Sequence, residues 1–165
     1  HLMSRSGTPT SVLPIEFDPA SLSIAVIASR FNTDVTDRLI AGAMGCFTQY
    51  GLKPESIEII RVPGAWELPQ AASLVLQLDR HDAIVTLGCV IRGETPHFDY
   101  VCSAANNGVA ALAREASIPI LFGVLTTDNR EQALARAGKG PDNKGYEAAV
   151  AALQMVDLYI GLAGN

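Results

Sequence analysis

The chain has 165 residues and a formal net charge of −5, and this length suffices for one domain whose core needs neither disulfides nor a metal. The chain is acidic, lacks runs of basic residues, and has no apolar run long enough to span a membrane. These features point to small molecules and other proteins as partners, with no nucleic acid and no membrane. Three cysteines lie in apolar segments without a Cys-x-x-Cys spacing, and no signal peptide is recognisable, so we expect buried thiols in a reducing, cytoplasmic compartment.

The N-terminal part of the chain differs in composition from the rest. Residues 1–3 resemble the remnant of a cleaved tag, and residues 4–20 are rich in Ser, Thr and Pro. Such a composition predicts an extended arm that becomes ordered only when something holds it. The arm is a candidate to add a strand to a neighbouring subunit. Residues 21–165 are predicted to form a single domain.

Short segments rich in Val and Ile then alternate with helical patterns. The predicted strands are residues 23–28, 56–62, 83–90 and 118–125. The predicted helices are one capped by Asn32 and ended by Gly51, residues 68–78, residues 98–116, a short helix capped by Asp128, and residues 145–162. This alternation predicts an open, four-stranded parallel sheet with helices on both faces, whose ligands bind at the carboxyl ends of the strands.

The most informative segment is residues 88–101, where an apolar strand leads directly into a helix start. Thr95 is predicted as the N-cap and Pro96 as the first helical residue. The unpaired N–H groups of such a turn, at the positive end of the helix dipole, favour an anion. His97 lies in the same turn, where the dipole favours the neutral ring, so we expect a proton shuttle beside an anion site.

In this topology the strand ends converge on one crevice. It offers two aromatic side chains for stacking a flat ring, Phe31 and Trp66, together with the carboxylate of Glu67 and the imidazole of His97. This set suits a planar, polar heteroaromatic ligand and an anion. Each residue also has a purely structural interpretation. Phe31 would be a hydrophobic staple and Trp66 a cover for a strand end. Glu67 would be a favourable charge at a helix dipole, and His97 an ordinary histidine with satisfied hydrogen bonds.

Other sequence patterns bear on which reaction mechanisms we expect. The glycine-rich residues 138–145 lack the spacing of a dinucleotide or Walker loop and predict a turn between helices. The chain has no Gly-x-Ser-x-Gly elbow and no metal-ligand spacing, so we expect neither covalent nor metal chemistry. Arg136 and Lys144, which flank the turn, are by themselves typical of solvated charges.

Five segments resemble the lumazine synthase family in order and spacing, and together they span residues 23–162. They read Ser-Arg-Phe-Asn at 29–32, Pro-Gly-Ala-Trp-Glu-Leu-Pro at 63–69, Gly-Cys-Val-Ile-Arg-Gly-Glu-Thr-Pro-His-Phe-Asp at 88–99, Phe-Gly-Val-Leu-Thr-Thr at 122–127, and Arg-Ala-Gly at 136–138 followed by Asn-Lys-Gly at 143–145. The resemblance implies a flavodoxin-like three-layer α/β/α sandwich. Trp66 stands where many members of the family have Phe, which keeps the aromatic character of that wall.

The resemblance also implies an activity and an assembly. The implied activity is that of a transferase of riboflavin biosynthesis without a cofactor, which condenses 5-amino-6-ribitylamino-2,4(1H,3H)-pyrimidinedione with 3,4-dihydroxy-2-butanone 4-phosphate and releases phosphate and water. Its product is 6,7-dimethyl-8-ribityllumazine. The implied assembly is a homo-oligomer, a pentamer or a multiple of pentamers, with the active site at the subunit interface. Riboflavin synthase is a further candidate partner.

Individual residues take on roles by the same resemblance. His97 is implied as the proton-transfer residue. The pyrimidine and its ribityl chain are implied to contact Phe31, Asn32, Ala65, Trp66, Glu67, Val90, Ile91, Phe122 and Lys144, with the backbone around Val90 and Ile91 reading the edge of the ring. The phosphate is implied to contact Gly93, Glu94, Thr95 and Arg136. Three of these residues are implied to come from the adjacent subunit: Phe122, Arg136 and Lys144.

Two alternatives from other functional classes remain open. One is a non-catalytic flavin- or lumazine-binding relative that keeps the aromatic pocket, and the presence of His97, Arg136 and Lys144 argues against it. The other is an electron-transfer module of the flavodoxin type, which shares the strand–helix alternation. Flavin bound to the purified protein would distinguish this second alternative from an enzyme.

Overall fold

The structure, a computed structural model, describes residues 17–164. The proposed tag remnant and residues 4–16 of the predicted arm lie outside the described residues, so the pairing of the arm with a neighbouring subunit stays a prediction. The described chain begins beside a short 3₁₀ turn, Pro19–Ser21, whose Ala20 amide donates to the carboxylate of Asp18 at 3.0 Å. This turn leads into the first strand.

Four parallel strands form one sheet, as the sequence predicts. They are β1 (Ile24–Ser29), β2 (Ile57–Val62), β3 (Ala83–Ile91) and β4 (Ile120–Thr127), each within two residues of its predicted bounds. Their order across the sheet is β2-β1-β3-β4. The chain therefore moves outward from β1 to β2 and then crosses back to β3 on the other side of β1. A parallel sheet whose direction of winding reverses in this way opens a crevice between the two central strands, here β1 and β3.

In the described part of the chain, five α-helices cover both faces of the sheet. They are α1 (Thr33–Gln49), α2 (Leu68–Leu78), α3 (His97–Glu115), α4 (Arg130–Ala135) and α5 (Lys144–Ala163). Because successive strand residues point to opposite faces, Ile24 and Val26 pack with α1 and α5, while Ala25 and Ile27 pack with α2 and α3. The result is the expected three-layer α/β/α sandwich with a flavodoxin-like fold.

Helix α5 corrects one expectation from the sequence. Among the described residues it is the helix that is long and apolar enough to cross a membrane by length and composition. However, Val150, Leu153 and Val156 of α5 are buried in the core that this helix shares with α1 and the sheet. The core therefore accounts for the apolar residues in the first part of α5, whereas Leu158, Ile160 and Leu162 near its C-terminal end are exposed.

Two helix starts differ from their predicted positions. Helix α3 begins at His97 with Pro96 in the cap position, one residue later than predicted. Helix α4 is capped by Asn129, whose side chain accepts from the Gln132 amide at 2.9 Å, and not by Asp128. The physical reason is that the Asp128 carboxylate pairs with Arg92, a residue distant in sequence that no local capping pattern takes into account.

The predicted turn at residues 138–145 is confirmed, and Asn143 organises it. Its Oδ1 accepts from the amides of Gly145 and Tyr146 at 2.8 and 3.0 Å, which caps α5. Its Nδ2 donates to the carbonyls of Arg38 and Gly138 at 3.1 and 2.8 Å, which ties the turn to α1. The side chain is buried, so these four bonds are shielded from water.

We therefore expect Asn143→Ala to lower the free energy of unfolding by about 2–4 kcal/mol, because the change removes a helix cap and leaves buried polar groups unpaired. Asn129→Ala is the matched control, since it removes one exposed capping bond from a short helix and should cost about 1 kcal/mol. Urea denaturation of the two variants measures the difference. Equal losses would show that the buried bonds of Asn143 add nothing to its capping.

Candidate active site

A crevice of ≈ 500 Å³ opens at the carboxyl ends of β1 and β3. Its position agrees with the predicted convergence of strand ends. Nine of the sequence-predicted site residues line it: Phe31, Ala65, Trp66, Glu67, Val90, Ile91, Gly93, Thr95 and His97. Pro63, Gly64, Cys89, Phe98 and Val101 complete the lining.

The crevice exists because β3 is longer than β1 at this edge. The pairing of β1 with β3 ends where Ala28 lies opposite Leu87, whereas β4 continues to pair with β3 as far as Ile91 opposite Thr127. Within residues 17–164, residues 88–91 of β3 therefore have a strand neighbour on one side, β4. Backbone N–H and C=O groups on the other side need a different partner, because unpaired backbone groups are costly when buried.

The register decides which of these residues turns its backbone toward the crevice. The amides of Ile84 and Arg92 donate to carbonyls on the β4 side, at 2.9 and 2.8 Å. Since hydrogen-bonding direction alternates along a parallel strand, Val90 also directs its backbone to β4, while Cys89 and Ile91 turn away from β4. Of the two residues implied to read the pyrimidine edge, Ile91 presents its backbone to the crevice, and Val90 presents its side chain.

Asn32 supplies a hydrogen-bond partner for one of these backbone groups of β3. Its Nδ2 donates to the Cys89 carbonyl at 2.9 Å, and its backbone adopts the left-handed region with φ 61. Asn32 occupies the N-cap position of α1 as predicted, but its side chain does not cap that helix. The bond leaves Oδ1 as the amide atom that could contact a ribityl chain. Asn32 thus joins the ends of β1 and β3 at the reversal of strand order.

Two aromatic rings stand open to solvent beside this edge. Phe31 is 72% exposed and Trp66, in the 3₁₀ turn Ala65–Glu67, is 58% exposed. Large exposed apolar groups in a concave site are typical of ligand or protein contact. Their exposure rules out the interpretation of Trp66 as a core residue.

Glu67 has both a structural and a possible binding role. Its Oε1 accepts from the Gly64 amide at 2.8 Å, across the 3₁₀ turn that precedes α2. The carboxylate is thereby fixed in the crevice wall, and its second oxygen remains for a hydroxyl or amide of a ligand. The structural and functional interpretations of Glu67 are therefore compatible.

The loop before α3 forms the second half of the crevice. Gly93, Thr95 and His97 line it, while Glu94 lies exposed in the same loop outside the lining. The His97 amide is 3.5 Å from Thr95 Oγ1, at the limit of a hydrogen bond, so the capping of α3 by Thr95 is weak. His97 and Phe98, the first two residues of this 19-residue helix, line the crevice, so the positive end of the helix dipole lies at its wall, which suits an anion.

Three predicted residues lie elsewhere on the chain. Phe122 lines a separate, smaller cavity of ≈ 270 Å³ with Cys102 and Thr126. Arg136 and Lys144 meet at the α4–α5 connection, where the Lys144 amide donates to the Arg136 carbonyl at 2.8 Å. None of the three lines the crevice of its own chain.

Sequence reasoning missed Arg92 and Phe98. Phe98 lines the crevice, and the guanidinium of Arg92 lies 4.4 Å from the centroid of its ring. Arg92 also pairs with Asp128 at 2.9 Å. The Gly88–Val101 segment contains both missed residues, but nothing in the local sequence indicates a partner 36 positions away.

The three thiols are not alike. Cys46 and Cys89 are buried, and burial raises the pKa of Cys46 to about 12 and that of Cys89 to about 11. Cys102 is partly exposed, which corrects the expectation that all three are buried. Among residues 17–164 no three His, Cys, Asp or Glu side chains gather in a group that could hold a metal.

The chain is similar to known proteins along most of its length. The family profile described as 6,7-dimethyl-8-ribityllumazine synthase matches residues 21–159. A protein of that name from Chlorobaculum tepidum is 46% identical over 140 residues, which cover 85% of this chain and 90% of the relative. Another of that name from Nautilia profundicola is 51% identical over 136 residues, which cover 82% of this chain and 88% of the relative.

The position of Asn32 generates a stability prediction. Asn32→Ala should lower the free energy of unfolding by about 2–3 kcal/mol, because it loses a hydrogen bond and places a Cβ-bearing residue without local compensation at positive φ. Asn32→Gly loses the same bond without the backbone strain and should cost about 1 kcal/mol less. Urea denaturation of the pair separates the two contributions. If Asn32→Gly were less stable than Asn32→Ala, the result would contradict the prediction that the left-handed backbone conformation at residue 32 is costly for alanine.

Proposed function

The chain belongs to the 6,7-dimethyl-8-ribityllumazine synthase family and is an enzyme of riboflavin biosynthesis, and we propose that its reaction takes place in the crevice between β1 and β3. The reaction condenses 5-amino-6-ribitylamino-2,4(1H,3H)-pyrimidinedione with 3,4-dihydroxy-2-butanone 4-phosphate to give 6,7-dimethyl-8-ribityllumazine, phosphate and water. Relatives that carry the name of the synthase do not favour the non-catalytic alternative.

One observation carries the assignment of the crevice. An aromatic, apolar wall and the open N-terminus of α3, with His97 in its first turn, line the same cavity of ≈ 500 Å³. The first feature suits a flat heteroaromatic ring and the second suits a phosphate. The two substrates of the reaction differ in this same way.

The pyrimidine is placed in the aromatic half. In this proposal its ring lies against Phe31 and Trp66 above the buried Ala65, and its polar edge meets the backbone of Ile91. The free oxygens of Glu67 and Asn32 then contact the ribityl hydroxyls. The side chains of Glu67 and Asn32 are already held by hydrogen bonds to the backbone, so binding does not have to order them.

The butanone phosphate is placed in the half formed by the loop before α3. The amides of Gly93, Glu94 and Thr95 and the start of α3 face its phosphate, and Glu94 takes part through its backbone because its carboxylate would repel the anion. The amine of the pyrimidine attacks the ketone carbon, and water leaves to give an imine. Elimination of phosphate then leaves an enol that tautomerises to a ketone, and the ribitylamino nitrogen attacks this carbon and closes the ring with loss of a second water. His97 takes up and returns protons in these steps.

We also propose that the site is completed by an adjacent subunit in a homo-oligomer, a pentamer or a multiple of pentamers. Phe122, Arg136 and Lys144 are the groups that this neighbour would supply, with Arg136 on the phosphate. The proposal is supported by their distance from the crevice of their own chain and by the exposure of the aromatic wall. Riboflavin synthase is the proposed consumer of the product, and the cytoplasm is the proposed compartment.

The activity is tested by mixing the purified chain with both substrates and following the absorbance of the lumazine, with and without a chelator. We expect turnover without added metal or nucleotide. His97→Ala should lower kcat toward the small end of the roughly 10²–10⁴-fold range of general acid–base groups, because positioning contributes much of the rate. The KM for the pyrimidine should stay nearly unchanged. A large rise in that KM at constant kcat would instead make His97 a binding contact.

Complementation tests whether the site is shared between subunits. A chain altered at His97 and a chain altered at Arg136 are denatured, refolded together at equal ratio, and compared with each refolded alone. In a ring of head-to-tail contacts, one ordered pairing of the four rebuilds an unaltered site, so roughly one quarter of the sites should regain full activity. Activity equal to the average of the two separate variants, in rings shown to be mixed, would place both residues in a site within one chain.

A further inference from the structure

We propose that Arg92 is a positioning residue for the phosphate half of the crevice, and that it acts on the loop of residues 93–96 and on the start of α3 without touching the phosphate. The inference rests on the proposed function, since it concerns the same site. Arg92 is the last residue before this loop, directly after β3. Its contacts connect three elements that meet there.

The contacts of Arg92 run in two directions. Toward β4, its backbone amide donates to the Thr127 carbonyl at 2.8 Å, and its Nε donates to Asp128 Oδ1 at 2.9 Å. Toward α3, its Nη1 lies 3.7 Å from Asp99 Oδ1, and its guanidinium lies 4.4 Å from the centroid of the Phe98 ring. Phe98 and Asp99 follow His97 directly in the first turn of α3. Arg92 thus joins the first turn of α3 to the end of β4.

The loop itself has little else to hold it. Its residues 93–96 are exposed, so packing does not fix them. The contact of the His97 amide with Thr95 Oγ1 is long, at 3.5 Å, and the Asp99 amide donates to the Pro96 carbonyl at 3.0 Å within the start of the helix. Segments with few buried contacts and exposed backbone groups open readily. The position of the loop therefore depends on its two ends, and Arg92 links both.

A direct contact between Arg92 and the phosphate is the obvious alternative, because the residue is a cation beside an anion loop. The pairing argues against it. The guanidinium is shared by two carboxylates, those of Asp128 and Asp99, and the hydrogen bond to Asp128 raises the pKa of Arg92. One positive charge against two negative charges leaves the group with a net negative charge. Such a group orients the loop but does not supply a free cation.

The test uses four variants. Arg92→Met keeps an apolar stem over Phe98, and it is compared with Arg92→Lys, with Asp128→Asn, and with the double variant that carries both Arg92→Met and Asp128→Asn. Arg80→Met is the matched control, because Arg80 is similarly exposed and pairs with Glu58 at the opposite edge of the sheet. Three quantities are measured: KM for each substrate, the Kd of inorganic phosphate by calorimetry, and hydrogen exchange of the amides of residues 99–102.

Positioning predicts that Arg92→Met and Asp128→Asn each raise the KM for the butanone phosphate and the Kd of inorganic phosphate by roughly threefold to fivefold. This is less than the ~100-fold that a displacement of about 1 Å can cost, because each ion pair is exposed and weak by itself. The KM for the pyrimidine should change by less than about twofold, and exchange at the start of α3 should accelerate. Arg92→Lys should restore part of the loss, and the double variant should be no worse than either single change.

A direct contact between Arg92 and the phosphate predicts the opposite change in phosphate affinity for Asp128→Asn. If Arg92 touches the phosphate, Asp128→Asn frees the guanidinium and tightens phosphate binding, and this result would overturn the proposal. Unchanged exchange at α3 in both single variants would overturn it as well. If the unaltered enzyme formed no lumazine, the proposed function would fail, while the exchange data would still decide whether Arg92 holds the loop. A loss of thermal stability in Arg92→Met no larger than in Arg80→Met supports a local effect.

Discussion

The difference in length between the two central strands determines where the crevice opens at the edge of the sheet. β1 stops pairing with β3 at Ala28, while β3 continues to Ile91, and within residues 17–164 this last stretch of β3 pairs with β4. The backbone of Cys89 and Ile91 is directed away from β4. Asn32 donates to the Cys89 carbonyl and so joins the ends of β1 and β3. The turns that follow β1, β2 and β3 surround the same space, which is why their side chains form one site.

The two halves of the site are built by different physical means. The aromatic half rests on the buried Ala65 and Leu68 and on the Glu67 carboxylate, which accepts from the Gly64 amide. In our proposal the phosphate half, which is exposed, relies on the end of a helix and on one arginine whose charge is already paired. An aromatic surface and a helix N-terminus suit the flat pyrimidine and the small phosphorylated ketone that we propose to bind there.

The exposure of Phe31 and Trp66 connects the site to assembly. Large aromatic surfaces are usually covered in the functional state of a protein, by a ligand or by another subunit. Within one chain the crevice has an anion-binding helix start but no cation from Arg136 or Lys144, which lie at the α4–α5 connection. The arrangement of a single chain is thus consistent with a site that a neighbouring subunit completes.

The sequence alone predicts the four strands, their parallel arrangement and most of the crevice lining, because runs of Val and Ile, their spacing and the position of residues after a strand are local properties. It did not determine the partners of the polar side chains. Asn32 occupies the predicted cap position but bonds to a carbonyl 57 residues away, and Asp128 pairs with Arg92 and leaves Asn129 to cap α4. Local capping energies are small, about 1 kcal/mol, so the tertiary structure decides whether a polar side chain serves its own helix or a distant group. The direction of the Ile91 backbone was likewise decided by strand register, which depends on contacts between segments far apart in the chain.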